Sequence, residues 1–331
     1  MDHAKPSTPS PEALARGLVA LLDVEEIDTD LYRGARRPGG EGRVFGGQVI
    51  AQALQAAQRS TEAPRAAHSL HAYFMRAGDE RYPIIYRVER DFEGRSFATR
   101  RVIAMQKGKP ILNLACSFQT PEDGLHHQDA MPDVPMPDSL ASERDLLASL
   151  GDRVPAPIRA FLSRPRPIEL RPVDPRQLLQ PEPREPTQAI WFRLVAPIGD
   201  DPTLHRAVLA YASDFALLGT STLPHGVNWL IDNMQTASLD HALWLHEPFR
   251  ADQWLLYTTD SPWAGHARGF NRGRIFTARG PTGRQRRAGG TDPVARLKAR
   301  RTYPIFGNAV APAPPAPRNG KKGDDRRHFF F

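Results

Sequence analysis

Phe45-Gly-Gly-Gln-Val-Ile-Ala-Gln-Ala-Leu-Gln-Ala-Ala-Gln58 is the stretch whose reading decides how this chain folds. Two glycines precede a run in which Val49, Ala53, Leu54 and Ala57 recur at helical spacing, so a helix begins here. Four strand-like runs follow: His68 to Met75, Ile84 to Arg90, Ser96 to Gln106 and Pro110 to Gln119. Tight turns at Asp91-Phe-Glu-Gly94 and Lys107-Gly108 separate the last three, as in an antiparallel meander. Upstream stand a polar helix candidate, Pro11 to Leu22, and an irregular Gly-rich stretch.

The same order recurs further on. Ile168 to Val173 reads as a strand and Thr203 to Leu218 as a helix. Strand-like runs follow at Thr236 to His246, Gln253 to Thr258 and His266 to Phe276. Single residues echo at an offset of about 170: Ser69-Leu-His71 against Ser238-Leu-Asp-His241, and Ile85-Tyr86 against Leu256-Tyr257. A helix plus meander occurring twice predicts an α+β chain with two antiparallel sheets, each wrapping a central helix.

Between the repeats, Pro121 to Pro186 holds 13 prolines, too many for long helices or central strands, so it reads as a wrapped linker. Within it Ser139 to Leu150 is a short helix candidate, with Ser139 as its cap. The expected units are 12–120, a linker 121–167, a second unit 168–278 and a tail 279–331.

The formal charge of +7 in 331 residues invites a nucleic-acid reading, but the charge is not spread evenly. Residues 279–331 carry 13 Lys/Arg against three acids, a balance of +10, which leaves −3 for the body. The basic run 279–301 of that tail has no interleaved aromatics, the only ones in the tail being Tyr303, Phe306 and Phe329-Phe-Phe331, so a nucleic-acid arm is disfavoured. No apolar run reaches membrane-spanning length, and Met1 to Ser10 is polar. The single cysteine, Cys116, excludes an intramolecular disulfide framework and a cysteine-based metal site, and makes a reducing, cytoplasmic setting the expectation. Cys116 lies in an alternating apolar strand and reads as core. The histidines at 68/71, 126/127 and 241/246 form no metal-ligand set, so no metal is expected. Neither a Gly-x-Ser-x-Gly elbow nor a phosphate loop occurs.

The repeat breaks at its end. Block one closes on Ile111-Leu-Asn-Leu-Ala-Cys-Ser-Phe-Gln119, whereas block two offers Pro281-Thr-Gly-Arg-Gln-Arg-Arg-Ala-Gly-Gly-Thr-Asp-Pro293. That stretch has no apolar alternation and cannot pair as a central strand. The last strand of the second sheet is therefore expected to be missing and the tail to be disordered.

Several ordered motifs between Leu22 and Ala278 carry a family resemblance. They are Phe45-Gly-Gly-Gln-Val49, His68-Ser-Leu-His-Ala-Tyr-Phe-Met-Arg-Ala-Gly-Asp79, Gly94-Arg-Ser-Phe-Ala-Thr-Arg-Arg101, Tyr211-Ala-Ser-Asp214, Leu223-Pro-His-Gly226, Ser238-Leu-Asp-His-Ala-Leu-Trp-Leu-His246 and Ala267-Arg-Gly269. Together they resemble the acyl-CoA thioesterase II family, which has a double hot-dog fold. The resemblance implies hydrolysis of fatty acyl-CoA to free fatty acid and coenzyme A in fatty acid metabolism, with no cofactor and no metal, in a homo-oligomer. Asp214 falls on the family's Asp, on the block-two helix, and Ser238 on its hydroxyl position; with a Gln they hold the attacking water. A carboxylate can take a proton from that water, and a hydroxyl can both donate and accept. Gly46, Gly47, Gln48, His68 and Arg268 are the substrate-binding candidates the resemblance adds. Asp240 and His241 resemble a catalytic pair, but His71 recurs in the other half, so they read as structural.

The family's Gln, from an Ala-Gln-Glu-Gly motif on the last strand, has no match here. Read one base later, permitted codons for Thr282 to Val294 spell Leu-Val-Ala-Ser-Val-Ala-Gln-Glu-Gly-Leu-Ile-Arg, the missing strand and motif together. A frameshift near Arg279 to Pro281, in the gene or its sequencing, accounts for the basic tail, and the locus sequence tests it. Two functions remain as expectations: a thioesterase impaired by loss of the Gln, or an inactive acyl-CoA-binding relic.

Overall fold

A computed structural model describes residues 8–176, 178–227, 234–278 and 302–306. Helix α1 (Pro11–Leu22) starts where expected, with proline in its first turn and Ser10 Oγ accepting from the Ala13 amide at 3.2 Å. Strands β1 (Val24–Asp28) and β2 (Leu31–Gly34) form a hairpin in the stretch expected to be irregular. Strand β1 is mostly exposed and β2 is only four residues long, so neither carries a long apolar alternation.

Helix α2 (Gly46–Arg59) is the buried axis of the first half. Strands β3 (Ala66–Phe74), β4 (Ile84–Glu93), β5 (Phe97–Gln106) and β6 (Lys109–Gln119) make up its meander. Lys107 and Gly108 both adopt left-handed φ (50° and 72°), the geometry a two-residue hairpin requires.

Three glutamines lie within the buried surface of α2, and Gln52 shows why that is tolerated. Its Nε2 donates to the carbonyls of Leu21 and Ala35 (2.5 and 2.8 Å), and its Oε1 accepts from the Tyr86 hydroxyl at 2.7 Å. Gln52→Leu leaves those buried partners unmet, so we expect a loss of about 3 kcal/mol in denaturant unfolding. A loss under about 1 kcal/mol would show that water replaces the amide.

The linker folds back on the body as α3 (Glu143–Leu150) and α4 (Ala156–Leu162). Ser142 caps α3 in a capping box with Asp145, and Ser139 falls instead in a preceding 3-10 turn. The reason is reciprocity: Asp145 returns a bond to the Ser142 amide at 3.3 Å.

The second half runs β7 (Ile168–Pro172), β8 (Thr187–Leu194), α5 (Pro202–Ala212), α6 (Leu217–Thr220), β9 (Asp240–Trp244), β10 (Leu255–Gly265), β11 (Arg268–Thr277) and β12 (Thr302–Phe306). The two sheets join edge to edge through β3 and β9, with Leu70 opposite Leu243. The result is one antiparallel sheet of order β1-β2-β4-β5-β6-β3-β9-β12-β11-β10-β8-β7. Helices α2 and α5 pack antiparallel: Gly47 meets the Tyr211 backbone at one end, and Gln58 Nε2 donates to the Thr203 carbonyl at the other.

The expected gap beside β11 needs correction. Strand β12 fills the position that β6 holds in the first half, pairing with β11 over 272–276 and with β9 at Leu243 and Ala242. The expectation of a wholly disordered tail fails at these five residues. An open β11 edge leaves unpaired amides and carbonyls, and Thr302-Tyr-Pro-Ile-Phe306 supplies β-prone residues that can meet them. The segment 281–293, read as unable to form a strand, and the rest of the tail lie outside the described residues.

Candidate active site

Where α2 begins, α5 ends, and the geometry there is tight. Phe45 stacks on Phe215 (5.1 Å, 15°) and meets Tyr211 edge-on (5.1 Å, 78°), clamping the two helix ends together. A Cβ on Gly47 would stand 2.4 Å from the Tyr211 carbonyl oxygen, and one on Gly46 would stand 2.7 Å from Asp214 Oδ2. Side chains are excluded at both positions. Gly47 thus lets α2 approach α5, and Gly46 lets it approach both the Asp214 carboxylate and Phe74 of β3.

Asp214 lies just beyond α5, not within a continuous helix. The Tyr257 hydroxyl donates to the Ser213 carbonyl at 3.0 Å, and the Leu217 amide bonds the Phe215 carbonyl instead of continuing the α pattern. Ala216 takes the left-handed φ of 62° that turns the chain into α6. Ser213 Oγ sits 2.9 Å from His241 Nε2, so His241 supports the turn that carries Asp214. Burial pushes the Tyr257 hydroxyl well above its ordinary range, and the Asp214 charge pushes it the same way.

Ser238 is half-buried, one residue before Leu239, whose carbonyl accepts from the Phe74 amide at 2.9 Å. Asp214, Ser238 and Gly46 line one cavity of about 580 Å³. Leucines of the folded-back linker, Leu146, Leu147 and Leu150 of α3 and Leu162 of α4, form an apolar wall. Exposed Arg43 and Arg76 also line it, as do Arg166 and Arg176. Sequence reasoning missed these cations and Gln188.

The other candidates sit elsewhere. Gly47 is beside the cavity but not on its wall, and Gln48 Nε2 is turned to the Ala35 carbonyl at 3.3 Å. His68 bonds Ser117 Oγ at 2.9 Å on the sheet, with burial lowering its pKa. Arg268 is exposed, its guanidinium 5.7 Å from the Trp263 ring centre. Cys116 is buried, and burial raises its thiol far above the nucleophilic range. Among the described residues no cluster of three His, Cys, Asp or Glu could hold a metal, and no helix is long and apolar enough to cross a membrane.

Comparison with known proteins adds a second line of observation. A family model described as acyl-CoA thioesterase matches residues 165–287, and one described as acyl-CoA thioesterase N-terminal domain matches residues 35–119. Acyl-coenzyme A thioesterase 8 of Homo sapiens is 42% identical over 267 residues, covering 78% of this chain and 83% of its own. Acyl-CoA thioesterase 2 of Haemophilus influenzae is 36% identical over 267 residues, covering 81% and 93%. The crystal structure of an acyl-CoA thioesterase II from Mycobacterium marinum is 36% identical, covers 90% of this chain and 98% of its own, and superposes with a TM-score of 0.67.

Proposed function

The chain belongs to the acyl-CoA thioesterase II family of thioester hydrolases, and on that premise we propose that Asp214 and Ser238 hold the water that attacks an acyl-CoA thioester. The observation that carries this reading is their placement on one cavity with Gly46, at the first turn of α2. The Ser238 hydroxyl orients the water, and its oxygen attacks the acyl carbon as Asp214 takes its proton. The carbonyl oxygen gathers negative charge, which suits the positive end of α2, where the Gly46 and Gly47 amides have no acceptor within the helix. Collapse breaks the carbon–sulfur bond; the proton passes from Asp214 to the departing thiolate, leaving free acid and coenzyme A.

The third water-holding group of the family, a Gln on the last strand, is the missing piece. Gln188 lines the same cavity, but its amide nitrogen is committed at 2.7 Å to both the Ala216 carbonyl and Thr220 Oγ1. It has no donor to spare for a water, so turnover by this chain is slow. A second reading comes from the same gap: a cavity that binds acyl-CoA without hydrolysing it.

Thiol release from decanoyl-CoA tests the first reading, and calorimetric binding of the same compound separates the second. We expect Ser238→Ala to cut kcat by about tenfold, and Ser238→Thr to keep most of it, because either hydroxyl can hold the water. Equal rates for Ser238→Ala and the unaltered chain would remove Ser238 from the mechanism.

A further inference from the structure

Arg176 lines the cavity wall, and the hydrolysis of a simple fatty acyl chain does not use it. It comes from the loop between β7 and β8, and its guanidinium lies against Gly219 of α6. A Cβ on Gly219 would stand 2.5 Å from one of its nitrogens and 3.0 Å from Cζ. Arg176 Nη2 donates to Gln188 Oε1 at 2.8 Å, and Gln188 in turn holds the Ala216 carbonyl, two residues beyond Asp214. The cation is therefore built into the turn that carries the candidate base.

No carboxylate forms an ion pair with Arg176 among the described residues. The acid whose charge reaches it, Glu143, is hydrogen-bonded to Arg166 at 3.2 Å, and Asp174 of its own loop pairs with Arg184. Burial pushes the Arg176 pKa down to about 10, still fully cationic at neutral pH. A guanidinium offers five N–H donors in a fixed fork, matched in shape to a carboxylate. A desolvated cation with one neutral partner is costly unless an anion completes it.

We infer that Arg176 is a specificity-determining residue that receives a carboxylate at the far end of the acyl group, so that the cavity prefers α,ω-dicarboxylyl thioesters over fatty acyl thioesters of equal length. This rests on the thioesterase reading of the cavity. Coenzyme A phosphates are the other anion available. Exposed Arg43 and Arg76 on the same cavity suit those groups, whereas Arg176 sits under α6 against Gln188.

Calorimetry on the full chain with adipoyl-CoA, hexanoyl-CoA and free coenzyme A tests it. Adipoyl-CoA should bind about tenfold more tightly than hexanoyl-CoA, the worth of one charge-assisted bidentate contact. Arg176→Met should bring adipoyl-CoA down to the hexanoyl-CoA level. Gly219→Ala, which displaces the guanidinium without removing it, should weaken the same preference, and it decides the matter if Arg176→Met fails to fold. A preference that survives both variants, or none in the unaltered chain while hexanoyl-CoA binds, overturns the inference and leaves the thioesterase reading standing. So does an equal loss for all three compounds, which assigns Arg176 to the coenzyme A phosphates. If no compound binds and none is hydrolysed, the thioesterase reading itself fails.

Discussion

Asp214→Asn should lower kcat by about three orders of magnitude while leaving acyl-CoA binding within about twofold. The substitution keeps the shape of the side chain and removes only its charge and its capacity to accept a proton. Shape matters here, because Asp214 Oδ2 lies against the bare Gly46 Cα and any larger group would push α2 off α5. The turn itself stands on the Tyr257 bond to the Ser213 carbonyl and on the Ser213 contact with His241, none of which the Asn disturbs. Stability in denaturant should accordingly change by less than about 1 kcal/mol. Single-turnover thiol release separates the chemical step from binding. A rate within about threefold of the unaltered chain would assign the base elsewhere.

Much of this site is legible in the residues alone because the family motifs coincide with sharp physical constraints. Gly46 and Gly47 announce a helix start that tolerates no side chain, and the structure puts a carboxylate oxygen and a carbonyl oxygen where their side chains would be. The meander of the first half is legible for the same reason: β5 and β6 alternate buried and exposed residues about a tight Lys107-Gly108 turn. Strand β8 is not, since Pro181-Glu-Pro-Arg-Glu-Pro186 immediately precedes it and that proline density hides the strand behind it. The helix expected over 203–218 outruns α5 because Phe215, Ala216, Leu217 and Leu218 are sound helix residues. A hydroxyl from β10, 44 residues away in sequence, ends the helix, and no local pattern encodes it. Arg176 and Gln188 are invisible in the sequence for a related reason. An arginine in a Pro-rich loop reads as solvated charge until the fold lays it against Gly219. Sequence periodicity reports which face of an element is buried; it does not report which loop side chain is carried into a cavity.

Replacing the tail from Thr282 onward with Leu-Val-Ala-Ser-Val-Ala-Gln-Glu-Gly-Leu-Ile-Arg should raise kcat/KM by about a hundredfold or more. A donor aimed at the attacking water or the developing oxyanion contributes on that scale. The argument starts from symmetry. In the first half β6 spans 11 residues between β5 and β3, whereas the strand now in the equivalent place, β12, spans five and carries Pro304, which has no amide to donate. A full-length strand there would complete the β11 and β9 ladders and bring the Gln of its Ala-Gln-Glu-Gly motif to the second half's cavity. Stability should rise together with activity, because a longer pairing closes edges that five residues cover only in part. Both gains must appear together: higher stability without faster thiol release would mean the strand forms but the Gln plays no part in turnover. If the unaltered chain already hydrolyses decanoyl-CoA within about threefold of the strand-bearing one, Asp214 and Ser238 hold the water without help, and the tail is no impairment. The gene gives an independent check, since an unbroken frame whose codons cannot spell those twelve residues removes the frameshift explanation while leaving the activity comparison intact.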